Sequence, residues 1–326
     1  MRKFFIFLAL PFIMLFLSLP YESQSTLAAE ATYKKEKAEI RTLINDLNKY
    51  SNEHDIENIK NYYSKDYKSY DGFNYDAFFA SVKDTFKSYP DITYKSKIKS
   101  INVHGGWASV ELIDTSTSKR QTATQAIINN KPVLDEKMFG TMESICQYVV
   151  YLKKNNGRWQ IYSDNIITEE TAIKYGTTED MKIGILSPPV VEEGKEYCIS
   201  LNAKNKPKNS IMLASITREE IKYPPSTPFD AFRKVPKDGT LERLVIANKK
   251  GINEYSLASL GITEISLNEE KTAINYKMSG VAFIMKRVNV YPQKRNAVDR
   301  EYVKKLLDGE AKANNNTGKE TAEESL

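Results

Sequence analysis

The first part of the chain alternates apolar and polar positions with the period of a helix. In residues 34–52, Ile40, Leu43, Ile44 and Leu47 are spaced at i, i+3, i+4 and i+7, which places them on one helical face. Asp55 and Asn74 are residue types that cap helix N-termini, so a short second helix and a third helix are predicted after them. The third ends before Pro90.

From Ile92 onward the period changes to two, which indicates strands. Strands are predicted over 94–103, 107–115, 141–153 and 158–167, with tight turns at Gly105-Gly106 and at Asn155-Asn156-Gly157 and with the polar stretch 116–124 as a connection. Helices followed by a meander of antiparallel strands predict an α+β layer arrangement over residues 32–178.

Residues 181–292 carry strand patterns without a helical period. The predicted strands are separated by turn signals and by prolines such as Pro188-Pro189 and Pro224-Pro225. Short strands of this kind predict an all-β sandwich. The fold class expected for the whole chain is therefore an α+β cone, with three helices on a bent antiparallel sheet, followed by an all-β sandwich.

Two family resemblances refine this picture. The three-helix start, the Tyr70-Asp71 turn and the closing hairpin Lys-Lys-Asn-Asn-Gly-Arg-Trp-Gln-Ile at 153–161 resemble the nuclear transport factor 2-like, or SnoaL-like, superfamily over residues 33–176. The resemblance implies a cone-shaped sheet with an internal pocket, and it also implies a possible homodimer formed through that sheet.

The stretch 251–257, Gly-Ile-Asn-Glu-Tyr-Ser-Leu, resembles the tyrosine corner of immunoglobulin-like domains. It implies that the Tyr255 hydroxyl bonds to an upstream turn. Cys198 occupies the place of a first core cysteine, but Leu257 stands where the second would be, and the core tryptophan is missing. The resemblance therefore implies an immunoglobulin-like sandwich without a disulfide. Two separate buried thiols, Cys146 and Cys198, are expected in preference to a bridge.

The two ends of the chain have a different character. Arg2 and Lys3 precede an apolar run over 4–19, and small residues follow at 28–31, which is the order of a secretory signal peptide over residues 1–31. A periplasmic or secreted protein with no membrane span after cleavage is expected, and an uncleaved anchor is the alternative. Residues 293–326 are expected to form a short helix and a disordered polar tail.

Composition narrows the possible partners. The formal net charge is +5, and Lys, Asp and Glu interleave along the chain without a basic stripe, so nucleic-acid binding is not expected. No Cys/His spacing suits a metal, and no phosphate loop or dinucleotide motif occurs, so neither a metal nor a cofactor is expected.

The ligand-pocket candidates are aromatic and acidic residues on elements that line the cone in the resembling superfamily: Tyr70, Asp71, Phe73, Trp107, Tyr148, Trp159, Tyr162 and Asp164. Aromatic walls suit a small apolar or amphipathic ligand, although core packing is the default explanation for any one of them. Some members of the superfamily use a pocket aspartate for isomerisation, cyclisation or hydration, which keeps Asp71 and Asp164 as acid–base candidates. The alternative for Asp71 is a turn residue whose side chain bonds to its own backbone. The alternative for Asp164 is a side chain at a sheet edge or on the solvent-facing side of its strand.

Three functions remain open from the sequence. The chain is expected to bind a small ligand or a protein partner without transforming it; a SnoaL-like enzyme and a purely structural envelope component are the alternatives.

Overall fold

The computed structural model describes residues 22–128, 131–225 and 231–292. The apolar run of the expected signal peptide and the expected C-terminal helix and tail lie outside these ranges. No helix in the described ranges is long and apolar enough to cross a membrane.

Three helices open the described chain: α1 (Glu22–Asn52), α2 (Ile56–Lys60) and α3 (Tyr75–Ser88). Asp55 accepts a hydrogen bond from Asn58 N, and Asn74 accepts one from Ala77 N, so both predicted caps are confirmed. Apolar faces of α1 and α3 pack onto the sheet, with Ile40, Leu43 and Ile44 almost fully buried.

Twelve strands follow in the described ranges: β1 (Thr93–His104), β2 (Trp107–Ile128), β3 (Lys131–Asn155), β4 (Arg158–Gly176), β5 (Lys182–Leu186), β6 (Val190–Glu192), β7 (Glu196–Lys204), β8 (Ser210–Glu220), β9 (Arg233–Lys234), β10 (Thr240–Ile246), β11 (Glu254–Leu267) and β12 (Ile274–Tyr291). A large sheet has the order β1-β2-β3-β4-β12-β11-β8-β9, and β10-β7-β5 form a second sheet.

The predicted fold class, an α+β cone followed by a separate sandwich, is wrong. Strands make up 56% of the described residues, and the large antiparallel sheet crosses the expected boundary between the two halves. β4 continues to Gly176, nine residues beyond its predicted end, and pairs with β12 from Glu170↔Lys286 to Gly176↔Gly280. The polar stretch 116–124, expected to be a connection, continues β2.

Two hydrophobic clusters form on this framework. One joins α1, α2 and α3 to β1–β4 and includes Leu112, Leu152 and Trp159. The other lies between the second sheet and β8, β11 and β12, and includes Leu201 and Leu260. The boundaries 32–178 and 181–292 stay a prediction as units of folding.

Both cysteines are free. Cys146 on β3 is half-buried, but Cys198 on β7 is exposed, so the expectation of two buried thiols is wrong for Cys198. The outward face of β7 in the second sheet explains its exposure, because its neighbours Tyr197 and Ile199 point to the opposite face and are buried.

Candidate functional site

A cavity of about 490 Å³ lies between the helices and the face of β1–β4 that packs against them. α1 contributes Ile44 and Leu47 to its walls, and α3 contributes Phe78, Val82 and Phe86. The volume falls within the range of about 300–1,000 Å³ typical of small-molecule sites. The helices thus supply apolar walls, while the sheet supplies the polar floor described next.

Strand register brings four polar side chains into one row across the floor. Ser96 on β1 pairs with Asp114 on β2, Asp114 with Cys146 on β3, and Cys146 with Glu169 on β4. Directly opposed residues of antiparallel strands point to the same face, and all four line the cavity. On the next strand, Lys286 pairs with Glu170, so Arg287 falls beside Glu169.

Asp114 lies in the middle of this floor. The Tyr148 hydroxyl donates to Asp114 Oδ2 at 2.7 Å, whereas Asp114 Oδ1 is buried and has no hydrogen-bond partner in the described residues. The Ser96 hydroxyl is close by, but its geometry assigns it to Asn48 Oδ1 at 3.3 Å. Burial raises the pKa of Asp114, and the hydrogen bond from Tyr148 opposes this shift.

Asp164 lines the same cavity from β4, opposite Val150 and two rows further along the strands. The buried Tyr67 hydroxyl donates to Asp164 Oδ1 at 2.9 Å. Burial raises the pKa of Asp164 to about 6, against the lowering effect of that hydrogen bond. A carboxyl group with such a pKa can exchange a proton near neutral pH.

Glu169 forms the end of the floor nearest to β12. Tyr255 on β11 donates to Glu169 Oε2 at 2.8 Å. Burial raises the pKa of Glu169, and the Tyr255 hydrogen bond counteracts that effect. Because the Tyr255 partner is a carboxylate on β4 rather than an upstream turn, the predicted tyrosine corner is wrong.

Asp71 does not line the cavity, although it was a pocket candidate. Its carboxylate accepts two hydrogen bonds from the Arg287 guanidinium, Nη2 to Oδ1 at 2.6 Å and Nη1 to Oδ2 at 2.9 Å. Asn253 Nδ2 donates to the same Oδ1 at 2.7 Å. Arg287 is 2% exposed, so this is a buried, bidentate ion pair that ties the turn before α3 to β12.

Of the eight pocket candidates, Tyr148 and Asp164 line the cavity. Tyr70 is 70% exposed, Phe73 is half-buried outside the cavity, and Trp107 packs edge-on against Tyr162. Trp159 is a core residue whose Nε1 donates to Glu39 Oε2 at 3.2 Å. The structure therefore brings together two of the eight.

Sequence reasoning missed Asp114, Glu169 and Tyr63 as cavity residues. Period two gives a usable signal for Asp114, because it shares a strand face with Leu112, whereas Glu111 faces the other way and accepts a hydrogen bond from Gln147. Glu169 carried no such signal, since β4 was expected to end at residue 167. No group of three metal-ligating side chains occurs in the part of the chain that is described.

Comparison with known proteins gives weak structural likenesses. No protein-family model matches the sequence, and no curated protein does. The solved structures that match include Bd1075 of Bdellovibrio bacteriovorus, with 14% identity, a TM-score of 0.32 and 42% coverage of each chain. The chain thus spans about two fifths of Bd1075.

Two further matches are smaller proteins. A candidate scytalone dehydratase of Novosphingobium aromaticivorans is 15% identical with a TM-score of 0.33, over 42% of this chain and 86% of that one. A Nostoc punctiforme protein of cystatin-like fold is 15% identical with a TM-score of 0.27, over 40% of this chain and 88% of that one.

The matching structures thus include a candidate scytalone dehydratase and a protein of cystatin-like fold, each over about 40% of the chain. These matches give no support to an immunoglobulin-like assignment of residues 181–292. With TM-scores below 0.5, they establish neither a family nor a function for this chain.

Proposed function

We propose that this protein binds a small, mostly apolar molecule in the cavity between α1, α3 and β1–β4. The observation that carries the proposal is that the cavity is hollow, at about 490 Å³, and has apolar helical walls over a polar floor. A packed core leaves few voids larger than a water molecule, so a space of this size is not expected in a core that serves packing alone. Apolar walls with a few polar groups are typical of small-molecule sites.

Export is part of the same proposal. The basic, apolar and small-residue order of residues 1–31 supports a signal peptide, and with it a periplasmic or secreted location. N-terminal sequencing of protein from extracellular and envelope fractions should find a chain beginning near residues 28–32. Full-length protein confined to the cytosol would contradict export and leave the binding proposal unaffected.

Binding can be tested with N-phenyl-1-naphthylamine, a neutral apolar dye that fluoresces in dry sites. Wild-type protein should give a saturable increase that corresponds to one site. Ser116→Phe, which places a ring in the cavity, should weaken dye binding at least about tenfold, because the ring occupies the ligand's volume. Thr115→Phe is the matched control, since its side chain is on the opposite face of β2.

Two results would reject the binding proposal. One is the absence of saturable fluorescence with folded wild-type protein. The other is equal dye affinity in the wild type and in Ser116→Phe, which would place the dye elsewhere.

A second candidate function is acid–base catalysis on the bound molecule. The observation that favours it is Asp164, a cavity-lining carboxyl group whose pKa is raised to about 6 by burial. Such a group can act as a general acid or base at neutral pH. An NMR titration of the Asp164 side chain tests it: a pKa near 6 supports catalysis, and a pKa near the reference of about 3.9 removes the candidate.

A further inference from the structure

The charges around the cavity are all of one sign. Its described lining contains the carboxyl groups of Asp114, Asp164 and Glu169 and no Lys, Arg or His side chain. The nearest cation in the polar row, Arg287, makes two hydrogen bonds to Asp71 and is therefore already neutralised. A ligand that enters this space meets three carboxyl groups and neutral polar groups, with no cation in the described lining to pair with an anion.

The three acids differ in how they are satisfied. Asp164 receives a hydrogen bond from Tyr67, and Glu169 receives one from Tyr255. Asp114 receives one from Tyr148 on Oδ2, but its Oδ1 is buried and has no hydrogen-bond partner in the described residues, and the residue lines the cavity. A buried acceptor without a donor is unfavourable, and a ligand that supplies an N–H group would satisfy it.

A donor to Asp114 fits best if it is cationic. Hydrogen bonds between an ammonium group and a carboxylate are shorter and stronger than those between neutral groups. The low dielectric of apolar walls strengthens the same attraction and penalises a carboxylate or phosphate placed beside three acids. The walls from α1 and α3 complement an apolar body attached to that donor.

We propose that the ligand of this cavity is an amine on an apolar body, held by Asp114 on the sheet floor and by the helices above it. This rests on the proposed function and adds the chemical class of the ligand. The amine donates to Asp114 Oδ1, while the Tyr148 hydroxyl holds Oδ2 and fixes the orientation of the carboxylate.

The test compares three probes with one apolar body: 1-naphthylmethylamine, 1-naphthalenemethanol and 1-naphthoate. Their dissociation constants are measured by fluorescence or calorimetry on the full chain at neutral pH. The amine should bind at least about tenfold more tightly than the alcohol, and the naphthoate should bind more weakly than both.

Asp114→Asn isolates the residue, because an amide keeps the shape and can still accept from Tyr148. It should weaken binding of the amine at least about tenfold and change binding of the alcohol by less than about threefold. Asp66→Asn is the control, since Asp66 is exposed and outside the cavity. Retained alcohol binding also shows that the variant is folded.

The outcomes separate the two proposals. If none of the probes binds, the cavity is not a ligand site, and the proposed function fails together with this inference. If the alcohol or the naphthoate binds as tightly as the amine, the proposed function stands and the amine assignment is overturned. A preference for the amine that survives in Asp114→Asn would overturn Asp114 as the recognition group.

Discussion

The hydroxyl of Tyr255 on β11 lies 2.8 Å from Glu169 Oε2 on β4 and donates to it across the intervening β12. This bond joins the cavity floor to the part of the sheet that packs against the second hydrophobic cluster. The Asp71–Arg287 ion pair makes a second such connection one strand away. The two halves of the chain are therefore joined by buried polar contacts as well as by strand pairing.

Removing the Tyr255 hydroxyl should lower stability. Tyr255→Phe leaves Glu169 without its donor, so the free energy of unfolding should fall by about 1–3 kcal/mol. Because that hydrogen bond lowers the pKa of Glu169, the variant should also raise the Glu169 pKa further. Chemical denaturation and NMR titration measure the two effects. Tyr291→Phe, at a residue 47% exposed, is the control; equal stability of both variants would show that the hydroxyl contributes nothing.

Breaking the buried ion pair between Asp71 and Arg287 should lower the free energy of unfolding more than Tyr255→Phe does. Arg287→Met leaves the Asp71 carboxylate buried without its bidentate partner, and the expected loss is about 3–5 kcal/mol. Adding Asp71→Asn to this variant should restore part of the loss, because the uncompensated charge is removed. Denaturant titration gives the values.

Lys286→Met provides the matched control for Arg287→Met. Lys286 is adjacent on β12 and makes a partly exposed, 3.8 Å ion pair with Glu170. Its loss should change stability by less than about 1 kcal/mol. A similar loss in both variants would mean that the Asp71–Arg287 pair has no special role.

The raised pKa of Asp164 predicts how stability depends on pH. The folded-state value of about 6 is above the reference value of 3.8, so the folded protein holds this proton more tightly than the unfolded chain. The stabilising effect is present below about pH 4 and is lost as pH rises through about 6. The free energy of unfolding falls by at most about 3 kcal/mol over this range.

Asp164→Asn tests that dependence, because the amide can still accept from Tyr67. Thermal denaturation should show that the variant is more stable than the wild type at pH 8. Between pH 4 and pH 7, the stability of the variant should fall less than that of the wild type. Asp66→Asn, an exposed substitution, should leave the wild-type profile unchanged. Identical pH profiles for Asp164→Asn and the wild type would refute the assigned pKa.

Local sequence signals predicted the helices well. The caps at Asp55 and Asn74 depend on local contacts, since each side chain accepts a hydrogen bond from the backbone amide three residues ahead. The apolar spacing of α1 correctly predicted its buried face. The turns at Gly105-Gly106 and Asn156-Gly157 were also correct, because these residues adopt positive φ angles.

Non-local relationships explain what the sequence could not reveal. Residues 116–124 are polar and still extend β2, and hydropathy alone does not separate a polar strand from a loop. The pairing of β4 with β12 joins residues more than 100 positions apart, as does the contact between Asp71 and Arg287. Asp164 was identified as a cavity residue from the family resemblance, whereas the row that Asp114 forms with Ser96 and Cys146 emerges only from the register of three strands.

The most direct test of the central claim, that the hollow space under α1 and α3 is a ligand site, is to locate a bound probe. Intermolecular NOEs are measured between N-phenyl-1-naphthylamine and methyl-labelled protein. The ring protons should contact the methyl groups of Ile44, Leu112 and Met285, which line the cavity. NOEs confined to exposed apolar residues of the second sheet, such as Leu186, Leu244 and Ile246, would contradict the claim.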